Sequence, residues 1–328
     1  IRSLKTKNII INSILSLILG LGLIYLVFKN IDISSFIEKL SEINYFWVYF
    51  SMFISIFEHV LRAYRWNLLM ESPKNKFSTF ITTNVVIVSY FFALFIPRFN
   101  DFVRCYLISK TNNIKISTSL GTVVSERIFD LISLFILILF LFFIEFEKFY
   151  SFIREYIFFN ISIDGYTLIV IFLILISLFF ISKYLNNKSE YLGKKIQEFK
   201  SGMFSVKKIY RNKNFLVSTV LLWVVYFLMG YVIFFAIDDT SSLSLVAGLA
   251  VLVSGTLGMV VPVNAGIGAY HFLVASILIG YNIDYETGLF FATILHTSQI
   301  VCLAFLGLVS SLILFFKLRL NEKINFNK

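Results

Sequence analysis

The chain has 328 residues, of which 58% are hydrophobic and 15% are charged, and its formal net charge is +10 at pH 7. Apolar stretches of about twenty residues recur along it, which predicts an all-α polytopic membrane protein with one integral membrane domain over residues 1–328. The basic residues lie in short segments between these stretches, so they indicate membrane topology and not a nucleic-acid partner. The two cysteines do not form a disulfide framework.

Two helices open the chain. The first, at about residues 9–28, follows a basic N-terminus that we place in the cytoplasm, and the second, at about residues 45–69, returns to the cytoplasmic side. On the second helix, Glu58, Arg62 and Arg65 are spaced at i, i+4 and i+7 and share one stripe. Glu58 is therefore positioned to neutralise Arg62 within the membrane boundary. Ordinary flanking charge with a snorkelling side chain is the alternative for Arg65.

A charged segment follows the third apolar run, which covers about residues 80–96. Pro97 cannot continue the preceding helix. Arg98, Asp101 and Arg104 then recur every three residues on one face of a new helix. Transporters build broken helices in this way, although a charged loop just outside the bilayer is the alternative. Because basic residues flank both ends, we predict a re-entrant hairpin that enters from the cytoplasm and buries its arginines beside a cavity.

The next helix, at about residues 123–144, begins with charged residues. Glu126 and Asp130 lie one turn apart on a face that we expect to meet Arg98 or Arg104 of the hairpin, and Arg127 lies beside them. The helix ends at acidic residues outside the membrane, which completes a first half-repeat over residues 9–145.

The second half of the chain, residues 165–317, has the same order of elements but starts outside. Its predicted helical segments are residues 166–181, 215–237, 243–261, 272–279 and 288–316. A connector at residues 183–213 carries nine basic residues against two acidic ones and is cytoplasmic. We expect a solvated connector, and a surface for anionic lipid headgroups is the alternative. The last helix ends at basic residues, which places the C-terminus in the cytoplasm as well.

Pro97 and Pro262 interrupt the two halves at corresponding places. Because the halves start on opposite sides, they predict an inverted-topology repeat of about six full transmembrane helices and two proline-broken re-entrant hairpins. In transporters, paired breaks of this kind meet near the midplane of the membrane and form the substrate site.

The second break differs from the first in its chemistry. Asn264, Gly266 and Gly268 offer backbone amides that could face a phosphate at the start of the following helix. Tight contact between small residues of neighbouring helices is the alternative. Beyond this break, His296 with Gln299 at i+3 predicts interhelical hydrogen bonds or a polar lining.

We expect neither a metal nor a cofactor. The three histidines fall in apolar segments without HxxE or HxxxH spacing. The sequence also lacks a nucleophile elbow, a phosphate loop and a dinucleotide fingerprint, and it has no soluble segment large enough to form a catalytic domain. The prediction is therefore a protein that is not an enzyme.

Four motifs, taken together, resemble those of a known family. They are Arg-x-x-Arg-Trp at residues 62–66, Arg-Phe-Asn-Asp-x-x-Arg at residues 98–104, Glu-Arg with Asp130 at residues 126–130, and Pro-Val-Asn-Ala-Gly-Ile-Gly at residues 262–268. In this order they resemble the lysylphosphatidylglycerol synthase transmembrane-region family, whose members are described as flippase-like integral membrane proteins. The resemblance covers nearly the whole chain and implies lipid translocation.

The chain departs from the family pattern at three places. Asn100-Asp101 stands where Gly-Glu is common, and Asn264-Ala265 stands where a second glycine is common. His271 stands where Glu is frequent, so a step that needs a carboxylate there is not expected. The aminoacyl-transfer domain fused to some relatives is not expected either, so the resemblance does not imply lipid lysinylation.

The sequence therefore favours a flippase or transporter that moves an anionic phospholipid or a polyprenyl-phosphate-type lipid between leaflets of the inner membrane. The alternatives are a membrane-embedded enzyme acting on lipid-linked substrates through Asp101, Glu126 or His271, and an accessory subunit of a separate synthase. The expected partners are membrane lipids with anionic headgroups. The predicted substrate-binding residues are Arg62, Arg65, Arg98, Asp101, Arg104, Glu126, Arg127, Asp130, Asn264, Gly266, Gly268, His271, His296 and Gln299.

Overall fold

The computed structural model describes residues 18–29, 32–71, 76–96, 99–112, 114–157, 197, 212–261 and 263–326. All regular elements within these ranges are helical, which confirms the all-α class. The α-helices in chain order are α1 (Ile18–Phe28), α2 (Ile33–Glu42), α3 (Tyr45–Met70), α4 (Thr79–Ala93), α5 (Asn100–Asn112), α6 (Ile116–Ile144), α7 (Phe146–Phe152), α8 (Lys213–Tyr231), α9 (Leu245–Val260), α10 (Ala269–Ile279) and α11 (Tyr285–Phe326).

Three described helices are long and apolar enough to cross a membrane: Ile116–Ile144, Lys213–Ala236 and Tyr285–Arg319. Each corresponds to a predicted span and begins a few residues earlier than the apolar pattern indicates. α3 adds a fourth if it forms one span with α2, from which it is bent by 86°. The predicted helix at residues 166–181 and nearly all of the connector at residues 183–213 lie outside the described residues.

Polar residues just before several helices determine where these helices begin. The side chain of Asn44 accepts a hydrogen bond from the amide of Phe46 at the start of α3, and Asn212 caps α8 in the same way. Ser244 caps α9 through the amide of Ala247. The caps satisfy amides that have no partner within the helix, and Asn44 also marks the corner between α2 and α3.

α3 packs against four other helices, α4, α6, α8 and α11. Its buried face is polar and includes Ser51, Ser55, Glu58, Arg62 and Arg65. Its exposed face is apolar and aromatic and includes Phe46, Tyr49, Phe53 and Phe57. Polar groups inside and apolar groups outside are typical of a helix surrounded by lipid, because hydrocarbon cannot satisfy polar side chains.

Two pairs of short helices lie at the two predicted breaks. α4 packs against α5, and α9 packs against α10. These helices have 15, 13, 16 and 11 residues, respectively. A helix needs about 20 residues to cross the hydrocarbon core, so each of the four is short for a full span. Pro97, Arg98 and Pro262 themselves lie outside the described residues.

The loop between α9 and α10 turns through three residues with positive φ. These are Ala265 at 50°, Gly266 at 71° and Gly268 at 85°. A Cβ on Gly268 would lie 2.5 Å from Cβ of Leu23 in α1. The glycine therefore serves both the turn and the close approach of α1 to the loop.

Gly258 of α9 lies directly against the start of α10. A Cβ on Gly258 would lie 2.7 Å from the Cα of Tyr270, which is backbone and cannot rotate away. We expect Gly258→Ala to lower the free energy of unfolding by about 1–3 kcal/mol, because it overfills a close-packed contact. The measurement is the melting temperature of the detergent-solubilised protein.

Gly280→Ala is the matched control for this prediction. Gly280 has a φ of −63°, and a Cβ there would come no closer than 3.4 Å to its neighbours. The melting temperature of the Gly280→Ala variant should stay near that of the wild type. Equal losses in both variants would contradict the close contact between α9 and α10.

Candidate functional site

Eight charged residues from three helices form a group inside the protein, which we call the charged cluster. Its members are Glu58, Arg62 and Arg65 of α3, Asp101 and Arg104 of α5, and Glu126, Arg127 and Asp130 of α6. Four members are arginines and four are carboxylates, so the formal charge of the cluster is zero. It contains every predicted first-half site residue that the structure describes; Arg98 lies outside the described residues.

Glu126 lies at the centre of the cluster and is fully buried. One of its carboxylate oxygens accepts hydrogen bonds from Arg62 Nη1 at 3.2 Å and from Arg65 Nη2 at 3.1 Å. The other accepts one from Arg104 Nη1 at 2.8 Å. The predicted contact between Glu126 and Arg104 is therefore present, and a single carboxylate joins α3, α5 and α6.

Within the described residues, Asp130 pairs with α3. Its Oδ1 accepts a hydrogen bond of 2.7 Å from Nη1 of Arg65. The predicted meeting of this face with Arg104 is therefore made by Glu126, and the part predicted for Arg98 lies outside the described residues. Asp130 lies one turn beyond Glu126, and the guanidinium of Arg65 bridges that turn.

Arg104 is buried as predicted, and its surroundings are protein. Besides Glu126, it contacts Asp101 in an ion pair with 2.9 Å between Nη2 and Oδ1. Its guanidinium also lies over the ring of Trp66, 4.9 Å from the centroid. The indole of Trp66 is held in turn by a 3.0 Å hydrogen bond to Thr122. A lipid headgroup could therefore contact Arg104 only if the carboxylate of Asp101 or Glu126 moved away from it.

Three residues in contact within this network, Glu58, His59 and Tyr226, were not among the predicted site residues. Glu58 lies 2.5 Å from Nδ1 of His59, and it accepts hydrogen bonds from Arg62 Nε at 2.9 Å and from the Tyr226 hydroxyl at 3.1 Å. Arg62 also donates to Tyr226. The position of His59 next to Glu58 was a usable sequence signal. Tyr226 gave no such signal, because it is one of several hydroxyl-bearing residues in the otherwise apolar α8.

Exposure increases from the centre of the cluster to one edge. The side chains of Arg65, Arg104 and Glu126 are 0% exposed, whereas Asp130 is 20%, Asp101 29% and Arg127 41% exposed. Asp101 and Arg127 contact each other at 3.1 Å, and we call this pair the rim. Exposed apolar residues lie near it in the chain: Phe102 follows Asp101, and Ile128 and Leu131 follow Arg127 on α6.

At the second break, three predicted site residues lie together. The amide of Gly268 donates a 3.3 Å hydrogen bond to Nδ1 of His271. The rings of His271 and His296 lie 5.0 Å apart, and Tyr270 stacks on His296 at 4.8 Å. His271 is the third residue of α10, where Glu accepts the same bond in a capping box. This geometry explains how His can stand at a position where the family often has Glu.

The glycine amides of this break are engaged within the protein. Gly266 donates to the carbonyl of Val263 at 3.3 Å, and Gly268 donates to His271. A phosphate would have to displace these bonds, so the geometry favours the alternative of tight packing. Within the described ranges, no group of three or more His, Cys, Asp or Glu side chains is arranged to hold a metal.

A line of polar contacts along α3 joins the second half to the charged cluster. Gln299 of α11 donates a 2.9 Å hydrogen bond to Ser51, the kind of interhelical bond predicted for it. One turn on, Ser55 contacts Cys302 of α11 at 3.4 Å. Glu58 and Arg62 follow on the same face. From Ser51 to Arg62 this polar line rises about 16 Å along the helix, roughly half the thickness of the hydrocarbon core.

A groove of about 340 Å³ lies between α6, α8 and α9 on the other flank of the cluster. Its lining is mostly apolar and includes Ile136, Leu137, Val220, Trp223 and Leu249. Ser133, also in the lining, lies one turn beyond Asp130 on α6. The groove is therefore adjacent to the charged cluster and suited to hydrocarbon.

Comparison with known proteins identifies the family. The family described as "Lysylphosphatidylglycerol synthase TM region" matches residues 13–307, a range that contains the whole charged cluster and the second break. The chain belongs to this family. A UPF0104 membrane protein from Methanocaldococcus jannaschii is 27% identical over 202 residues, which cover 61% of this chain and 82% of that relative. No solved structure matches the chain with significance.

The variants Arg104→Gln and Arg127→Gln test whether ion pairs at the buried centre of the cluster stabilise the protein more than those at its rim. Breaking a buried ion pair costs about 3–5 kcal/mol, whereas an exposed pair contributes about 0–1 kcal/mol. We therefore expect a clear drop in melting temperature for Arg104→Gln and a value near the wild type for Arg127→Gln. If the two purified variants melt alike, the burial gradient across the cluster is wrong.

Proposed function

We propose that this protein moves lipids with an anionic headgroup, phospholipids or polyprenyl phosphates, between the leaflets of the cytoplasmic membrane. The observation that carries the proposal is the charged cluster. Four arginines within a membrane domain are expensive unless they are paired, and such groups mark substrate pathways in membrane proteins. Guanidinium groups also match phosphate geometry through paired hydrogen bonds.

The rim supports entry of a lipid headgroup from the side. Arg127 is the most exposed arginine of the charged cluster, and exposed apolar residues follow it on α6. A phosphate can therefore meet Arg127 while the acyl chains stay against the outer face of α5 and α6. The apolar groove between α6, α8 and α9 offers hydrocarbon a place on the other flank. The polar line along α3 leads from the cluster toward the second break.

The contacts within the site weaken the enzyme alternative for two of its candidate residues. Acid–base chemistry by Glu126 or His271 would need a side chain available to a substrate. Glu126 contacts three guanidiniums, and His271 caps α10. An accessory role beside a separate synthase is distinguished by the experiment below, because an accessory subunit would not move lipid alone.

The proposal includes the finer topology: re-entrant hairpins at the two breaks, an inverted repeat, and both termini in the cytoplasm. The shortness of α4, α5, α9 and α10 supports it. Single cysteines at Lys76 and at Asn112, in a background lacking the buried Cys105 and Cys302, should then label from the same, cytoplasmic side. A membrane-impermeant maleimide applied to intact cells and to inverted vesicles makes the measurement. Labelling from opposite sides would rule out the first hairpin.

Transport is tested in proteoliposomes with lipids that carry a fluorophore on one acyl chain. Dithionite quenches only the outer leaflet, so loss of the protected inner fraction reports leaflet exchange. We expect faster exchange of phosphatidylglycerol than of phosphatidylcholine, with no chemical change of either lipid. Arg127→Gln should lower the phosphatidylglycerol rate about tenfold, because one charge-assisted contact is lost. Arg127→Lys should keep part of the rate, since the charge remains and the planar fork is lost.

Lys110→Gln is the control, because it removes an exposed cation from α5 outside the charged cluster. It should exchange lipid at the wild-type rate. Wild-type exchange by Arg127→Gln would contradict a headgroup site at the rim. Absence of exchange by the wild type, restored by a co-expressed synthase, would favour the accessory role.

A further inference from the structure

Asp101 occupies the place in the charged cluster where an incoming anion would make the best contacts. We infer that Asp101 is an exchangeable counter-ion, which holds Arg104 and Arg127 until the phosphate of a lipid replaces it. This inference rests on the proposed function and adds to it a residue that controls access to the site.

The charge count of the cluster is the first reason. Among the residues that the structure describes, the four arginines of the cluster are balanced by its four carboxylates, so each of these cations already has a partner. A phosphate that entered this neutral group would leave an unbalanced negative charge at a poorly hydrated site. Binding therefore requires that one carboxylate withdraw from its arginine.

Exposure and partners decide which carboxylate this is. Glu126 is fully buried among three arginines, and Glu58 is buried against Arg62. Asp130 is partly exposed, but the Arg65 guanidinium behind it is fully buried. Asp101 alone in the cluster is partly exposed itself and also pairs with an exposed arginine, Arg127. It can turn toward the surface and leave an accessible cation behind.

The contacts of Asp101 resemble those of a bound anion. One oxygen, Oδ1, lies 2.9 Å from Arg104 Nη2 in an ion pair, and it accepts hydrogen bonds from Arg127 Nη2 at 3.1 Å and from Asn100 Nδ2 at 3.3 Å. Asp101 also lies in the first turn of α5, a 13-residue helix whose N-terminal dipole favours negative charge. The carboxylate thus marks a position built for an anion.

The guanidinium of Arg104 is an independent indication that a phosphate would pair better at this position than the Asp101 carboxylate does. It is fully buried, yet its Nε and Nη2 make no hydrogen bond of acceptable geometry, although Nη2 lies close to Asp101. Buried guanidinium donors without a hydrogen bond are costly. A phosphate carries more acceptor oxygens than the single oxygen that Asp101 presents, so it can satisfy these donors as well as Arg127.

The test compares lipid binding by purified wild type, Asp101→Asn and Asp130→Asn. Native mass spectrometry with titrated phosphatidylglycerol measures the affinity, and phosphatidylcholine measures binding that does not depend on net charge. Asp101→Asn should bind phosphatidylglycerol about tenfold more tightly than the wild type, since the competing carboxylate is gone. Its binding of phosphatidylcholine should not change.

Asp130→Asn is the matched control because it removes the same charge from the same cluster. The cationic partner of Asp130 is fully buried. The affinity of Asp130→Asn for phosphatidylglycerol should therefore rise by at most about twofold, the size of a long-range charge effect. Thermal melting checks that each variant is folded. Asp101→Ser is a second variant that removes the carboxylate. Asp101→Glu keeps a carboxylate, so its affinity for phosphatidylglycerol should not rise.

The outcomes separate this inference from the proposed function. If the wild type prefers phosphatidylglycerol but neither folded Asp101→Asn nor Asp101→Ser binds it more tightly, the counter-ion role is overturned and the transport proposal stands. Equal gains in Asp101→Asn and Asp130→Asn would also overturn it, because net charge alone would then explain both. If neither the wild type nor any variant prefers phosphatidylglycerol, the proposed anionic substrate itself is contradicted.

Discussion

The carboxylate of Glu126 is the contact on which the arrangement of the first half depends. It is fully buried and joins arginines of α3 and α5 to α6. A buried ion costs several kcal/mol unless its partners are in place, so the three helices cannot separate or slide without that cost. Aromatic rings also contact the arginines: the guanidinium of Arg62 lies over the ring of Tyr90, and that of Arg104 lies over the ring of Trp66.

The need for buried polar groups to have partners within the protein also applies beyond Glu126, because α3 is polar inside and apolar outside. α3 carries hydroxyl and charged groups along one buried face, and these groups meet partners on α6, α8 and α11. Lipid offers no hydrogen bonds, so each polar side chain inside must find a partner in the protein. The charges at the rim differ from the others in the cluster, because Asp101 and Arg127 are paired with each other and also partly exposed.

The two breaks have different physical roles. At the first, a short helix brings Asp101 and Arg104 to the charged cluster and presents an edge to the surface. At the second, positive-φ residues and close contacts with α1 and α9 produce a compact loop whose glycine amides are already engaged. The first break therefore presents paired charges at the surface, whereas the second is a tightly packed junction.

The sequence alone determined the class, the long apolar helices and the family, but it did not predict the short helices α2 and α7. Apolar runs and charge placement predict helices near their observed positions, and the i, i+4 spacing of Glu58 and Arg62 predicts their ion pair. Tertiary structure alone decided that Glu126 is central, that Asp130 pairs with Arg65, and that Tyr226 joins the network. The reason is geometric: periodicity says which residues share a face of one helix, but not which faces of different helices meet. Those meetings depend on packing between segments far apart in the chain.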